Sequence, residues 1–259
     1  MTTLPRRSAN LLLALSLFPA SSFPAWLGVG RSVGEMSRVG GFAPETPAGY
    51  AFSIWGLIFS MWLIYAVRQA LPAYRNHELY ARIGWATAGA SLLNSLWMIL
   101  AQTIGNGWWL VIIIWAILAC ALVAFFRTLA MRDQLDTFDR WIVLPMTGVL
   151  SAWLSAAVWL NLSSYIRQID PSRLGLTTTA FALVVLACAT AFSWAVLAKA
   201  RGNVFYGLTT LWALVGIIVA NSTNAAGQRS VVWAACGVAI VTIGLMAWFR
   251  QTTGPTKAP

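Results

Sequence analysis

Side chains able to move protons or hold metals are scarce in this chain of 259 residues, which has seven carboxylates, one histidine and three cysteines. The carboxylates Glu35, Glu45, Glu78, Asp133, Asp136, Asp139 and Asp170, like the single His77, all fall between long apolar stretches. Acid–base or metal chemistry within a membrane needs a histidine, a carboxylate pair or a ligand cluster inside such stretches, and none is there. Cys120, Cys188 and Cys236 sit in three different stretches without Cys-x-x-Cys spacing. They read as small apolar packing residues rather than a disulfide framework or a metal motif. No catalytic residue, metal ligand or cofactor is expected, and the chain reads as a non-enzyme.

What the chain has in excess is tryptophan, fifteen in all. Indoles and amides do the chemistry of recognition: one face stacks, and the polar edge donates. At hydrocarbon depth such groups cost free energy unless they find a partner, so they should face other helices or a ligand. Asn94 and Asn161 are the amides at that depth. Asn94 and Trp97 share a helical face at i, i+3, and Trp153, Ala157 and Asn161 form one stripe at i, i+4, i+8. Ordinary helix packing and a shared aromatic pocket both fit this pattern.

The elements that must position these residues are transmembrane helices, because about 20 apolar residues span a bilayer and hydrocarbon offers the backbone no other partners. Mean hydropathy is +0.72. Eight spans are expected, near 10–29, 50–70, 83–104, 107–126, 141–165, 174–198, 204–221 and 230–249. The fold class is therefore an all-α integral membrane protein. Arg6, Arg7 and the run Leu11–Phe18 also resemble a signal peptide with a cleavage site near Ala20-Ser21-Ser22, but the apolar character continues to Val29, long enough to span. With eight spans, Arg31, Arg38, Arg167, Arg173 and Arg229 lie on one side, and the other twelve of the 17 lysines and arginines lie with both termini, which the positive-inside rule places in the cytoplasm. Net charge of +10 suits anionic headgroups better than nucleic acid, since the basic residues are scattered. Trp26, Trp85, Trp108, Trp109, Trp141, Trp233 and Trp248 fall near span ends, as an interfacial belt would; Trp55, Trp62, Trp97, Trp115, Trp153, Trp159, Trp194 and Trp212 fall deeper.

Two connections are long. Gly30 to Gly49 carries Pro44 and Pro47 and is expected to fold over the bundle mouth or stay mobile. Arg127 to Arg140 carries Arg132, Asp133, Asp136, Asp139 and Arg140 and reads as a solvated connector, whose spacing would permit ion pairs on a helical extension. The segment 251–259 reads as a disordered tail.

Three motifs in chain order carry a family resemblance. Pro44-x-x-Pro47 leads into GYAFSIWG at 49–56, span three carries LLNSLW at 92–97, and span five carries Trp153-x-x-x-Ala157-x-x-Leu160-Asn161. Together they resemble the TspO/translocator family, the tryptophan-rich sensory proteins. Pro145-Met146 stands where that family has a proline-tyrosine pair. The resemblance covers about residues 8–166, a TspO-like five-helix core. The three spans within 167–250 have no counterpart in a five-helix fold, so the chain resembles an enlarged, divergent member.

The resemblance implies a binding or sensory protein for tetrapyrroles such as protoporphyrin IX, or for sterol-like lipids, with a ligand site at Tyr50, Trp55, Asn94, Trp97, Trp153, Ala157 and Asn161. In that reading indoles stack on a conjugated ring, amides orient its polar edge, and the small Ala157 leaves room. The Gly30–Gly49 loop would act as a lid, with Arg31 or Arg38 meeting ligand carboxylates at the rim. The implied partners are this small molecule and membrane lipids, with no nucleic acid, in a bacterial inner membrane; the resemblance also allows a homodimer and a minor role in porphyrin breakdown. The main alternative is a transporter or facilitator of small amphipathic solutes, disfavoured in proton-coupled form by the missing intramembrane carboxylate or histidine.

Overall fold

A computed structural model of the chain describes residues 4–30 and 41–252. Arg31 and Arg38, the rim arginines of the expected site, and residues 253–259 of the expected tail lie outside the described residues. The described residues form eight long helices and no strand: α1 Leu4–Trp26, α2 Ile54–Ala70, α3 Glu78–Thr103, α4 Trp108–Ala130, α5 Leu144–Ile169, α6 Thr178–Lys199, α7 Val204–Thr223 and α8 Arg229–Thr252. A 3-10 turn, Gly49–Ser53, leads into α2, and a π-helical turn, Asp139–Val143, leads into α5. Seven helices, α2 to α8, are long and apolar enough to cross a membrane, and the chain is an integral membrane protein.

Helix α1 departs from the expected span. It begins at Leu4 rather than near residue 10, so it draws Arg6, Arg7 and Asn10 into its length. Arg6 and Asn10 are buried rather than solvated. Asn10 donates to the Gly84 carbonyl at 2.7 Å and accepts from Thr87 at 2.7 Å, while Arg7 caps the end of α2 through the carbonyls of Gln69 and Ala70. The Arg6 side chain lies close over Gly84, where a Cβ would stand 2.8 Å from it.

The described residues divide into two compact units. Unit one comprises those up to Gly41 together with Phe52–Leu154, and so holds α1 to α4 and the first half of α5. Its core is built on Trp62, Tyr65, Ile58, Leu17, Ile83 and Ile117, all fully buried. Lipid is as apolar as leucine, so membrane helices associate through close approach and interhelical hydrogen bonds. Both devices are visible: Gly89 of α3 lies so near α4 that a Cβ would touch the Cys120 sulfur at 3.4 Å, and Ser16 bonds Ser95 at 2.9 Å between α1 and α3.

Unit two comprises Phe42–Ala51 and the described residues from Ser155 onward. Ala182, Leu186, Leu214, Ile217, Val231 and Ala235 of α6, α7 and α8 pack as its apolar core. The segment 42–51 is not a free loop. Glu45, buried to 2% exposure, pairs with Arg167 at 2.9 Å, the Ala48 amide donates to the Gly216 carbonyl at 2.9 Å, and Asn221 donates to the Pro44 carbonyl at 2.7 Å. Gly216 lets the segment approach: a Cβ would stand 2.8 Å from Pro47. This half of the Gly30–Gly49 connection is thus docked onto α5 and α7 within unit two, held by a buried ion pair that no local pattern announced.

Candidate functional site

The two sets of tryptophans differ in burial within the protein. Trp26, Trp85, Trp108, Trp141, Trp233 and Trp248 from the belt set are exposed, whereas Trp62 and Trp153 from the deep set are buried and Trp55, Trp97, Trp115, Trp159 and Trp194 are half-buried. Two cross over: Trp109 folds against Gly107 and is half-buried, and Trp212 is partly exposed. Where an indole N–H lies deep, it finds an acceptor in some places, Trp194 to Thr242 at 2.9 Å and Trp212 to the Ala51 carbonyl at 3.0 Å. Trp62 Nε1, in the core of unit one, has none among the described residues.

Within unit one, helices α2, α3 and α5 supply Trp55, Asn94, Trp97 and Trp153. Phe52 meets Trp153 edge to face with ring centroids 5.5 Å apart. Three residues further on, at the start of α2, Trp55 lies against Phe59 at 5.4 Å, and Phe59 in turn meets Phe18 of α1 at 6.0 Å. Periodicity explains the arrangement, because Phe52, Trp55 and Phe59 fall at i, i+3 and i+7 on one side of the helix. Asn94 is 1% exposed, and its Nδ2 donates to no described residue. Ser91, one turn earlier on α3, is fully buried and its hydroxyl also lacks a partner there. Trp97 follows Asn94 by one turn and is half-buried.

The remaining predicted residues belong to unit two. Ala157 and Asn161 continue the Trp153 stripe along α5, and Asn161 donates to the Ala157 carbonyl at 3.0 Å. Tyr50 is exposed and meets Trp212 edge to face at 5.4 Å. The seven residues thus fall into a unit-one set on three helices and a unit-two set at the far half of α5 and the turn before α2.

One cluster in unit one escaped the sequence reading. Asp139, expected in a solvated connector, is 1% exposed: Tyr80 donates to its Oδ1 at 2.7 Å, and its Oδ2 lies 3.4 Å from His77 Nε2. The His77 ring stacks on Tyr80 at 4.1 Å. Asp136 accepts the Asp139 amide at 2.8 Å and pairs with Arg68, whose guanidinium lies over the rings of Tyr74 and Phe138. The ion pair of this connector therefore reaches to α2 instead of running along a helical extension of its own. Sequence distance hid the group: His77 and Asp139 are brought together only by the packing of two helix ends. Burial alone would raise the Asp136 carboxyl, but the Asp139 amide and Arg68 outweigh it and hold it below its ordinary value.

Unit one is thus a helical membrane bundle in which aromatic side chains of α1, of α2 with the turn before it, and of α5 meet one another and in which the buried Asn94 amide and Ser91 hydroxyl of α3 find no partner among the described residues. The model of the TSPO-like protein family matches residues 14–248, and the chain belongs to that family. The match continues through α6 and α7 and into α8, beyond the stretch near 8–166 that carries the three motifs. Among curated proteins and solved structures, nothing matches significantly.

Proposed function

We propose that this TSPO-like protein is a binding or sensory protein for a flat, largely apolar ligand, a tetrapyrrole or a sterol-like lipid, taken up among α2, α3 and α5 of unit one. The observation that carries the reading is the Asn94 amide, buried with a donor that no described residue accepts. A buried unpaired donor costs about 1–3 kcal/mol, so its retention beside a half-buried Trp97 favours a partner supplied from outside the chain. Trp153 and Trp55 are the stacking surfaces, each already held by a neighbouring phenylalanine, and Asn94 orients the polar edge of the ligand. Ala157 and Asn161 extend the same helical stripe, and Tyr50 flanks its approach in sequence. The expected setting is a bacterial inner membrane with both termini in the cytoplasm.

The test is a titration of the detergent-solubilised protein with protoporphyrin IX, followed by quenching of tryptophan fluorescence. Saturable quenching that weakens several-fold in Trp153→Phe is expected. Absence of saturable quenching in the folded wild type, with solute flux into vesicles instead, would replace this reading by the facilitator alternative.

A further inference from the structure

We propose that His77, Asp136 and Asp139 form a binding site for one divalent transition-metal ion, at the end of unit one where α2 gives way to α3 and α4 to α5. The three side chains each offer a donor atom, and these atoms lie within 4.8 Å of one another. Two ligands about 2.05 Å from a tetrahedral metal stand about 3.4 Å apart. His77 Nε2 and Asp139 Oδ2 are separated by 3.4 Å.

Tyr80 and the Asp139 amide pre-orient the ligands without competing for the metal, whereas Arg68, paired with Asp136 Oδ2, has to share that oxygen with the ion or yield it. Tyr80 occupies Asp139 Oδ1 through its hydroxyl and carries the imidazole on its ring face, while Oδ2 receives no hydrogen bond from the described residues although Asp139 is 1% exposed. Such a buried, unused carboxylate oxygen directed at an imidazole nitrogen is costly without a cation. The Asp139 amide fixes Asp136, whose side chain is 45% exposed and so opens the cluster to solvent. Asp139 opens the π-helical turn before α5, a distortion frequent at functional sites. Charge agrees: two carboxylates against Arg68 leave one negative charge when the imidazole is neutral. One nitrogen and two oxygens suit zinc, cobalt or manganese better than calcium, which takes six to eight oxygens. Open coordination positions remain for water.

The competing explanation is a plain ion pair in which protonated His77 serves as the cation for Asp139. The two separate on titration of the tag-free, chelator-stripped, full-length protein in detergent with Co2+, whose visible ligand-field bands report coordination geometry. One saturable equivalent is expected, with affinity lowered at least about tenfold in His77→Gln and in Asp136→Asn, and a rise in the thermal midpoint of the wild type with metal. Asp136 is partly exposed, so its variant keeps the test open should His77→Gln fold poorly. Absence of saturable bands in the wild type, or wild-type affinity in both variants, overturns the site and leaves the ion pair.

Discussion

Asn94 in unit one and Asn221 in unit two are both buried amides on apolar helices, and they are used in opposite ways. Asn221 donates to the Pro44 carbonyl at 2.7 Å and to Ile217 at 2.9 Å, and its Oδ1 accepts the Gln228 amide at 3.0 Å. The Asn94 donor reaches no acceptor among the described residues. The contrast teaches how to tell glue from site in a membrane bundle: a polar residue whose bonds are all internal specifies packing, and one whose bonds are incomplete is held ready for something else. Neither role is visible in the residue type.

The largest effect should come from breaking the glue of unit two at its most buried charge. Arg167→Ala strands the Glu45 carboxylate, and loss of one partner of a buried ion pair costs about 3 kcal/mol or more. A marked fall in the thermal midpoint in detergent is expected, and an unchanged midpoint would show that the 42–51 segment is not held as described. The asparagine comparison itself is sharpened by a pair of variants. Asn221→Ala should cost about 2 kcal/mol by orphaning buried backbone groups, whereas Asn94→Ala should change stability by less than about 1 kcal/mol yet weaken protoporphyrin IX binding about tenfold. Equal destabilisation by both would erase the distinction between the two units.

The smallest effect lies in the turn between α5 and α6. There the Ser172 hydroxyl, with the Leu174 and Ser172 amides, holds the Asp170 carboxyl below its ordinary 3.8. The carboxylate supports a left-handed turn in which Arg173, Leu174 and Gly175 all have positive φ. A folded value below the unfolded one stabilises above about pH 4 and is lost as pH falls through the lowered folded value. Asp170→Asn should therefore flatten the acid limb of the unfolding curve between about pH 5 and 2, measured by far-ultraviolet circular dichroism.

Much of this molecule was legible from one dimension. Seven of the eight helices fall where apolar runs are long enough to cross a bilayer, and six of the seven tryptophans near span ends are exposed. Illegible were the relations that join distant residues: Arg6 buried beside Gly84, Glu45 beside Arg167, and His77 beside Asp139. The rule that charges sit outside membrane helices placed all of these in loops or at a helix mouth, and it carries no term for one helix end folding onto another.

By itself, then, the sequence determined the class, the helices and the family motifs, because each depends on local composition and on periodicity against a slab of hydrocarbon. Only the tertiary structure decided which polar groups are satisfied, because hydrogen bonds and ion pairs of a few ångströms depend on how whole helices meet. The Asn94 donor that no described residue accepts, the docking of 42–51 onto α7 and the grouping of His77 with two aspartates all belong to that second kind.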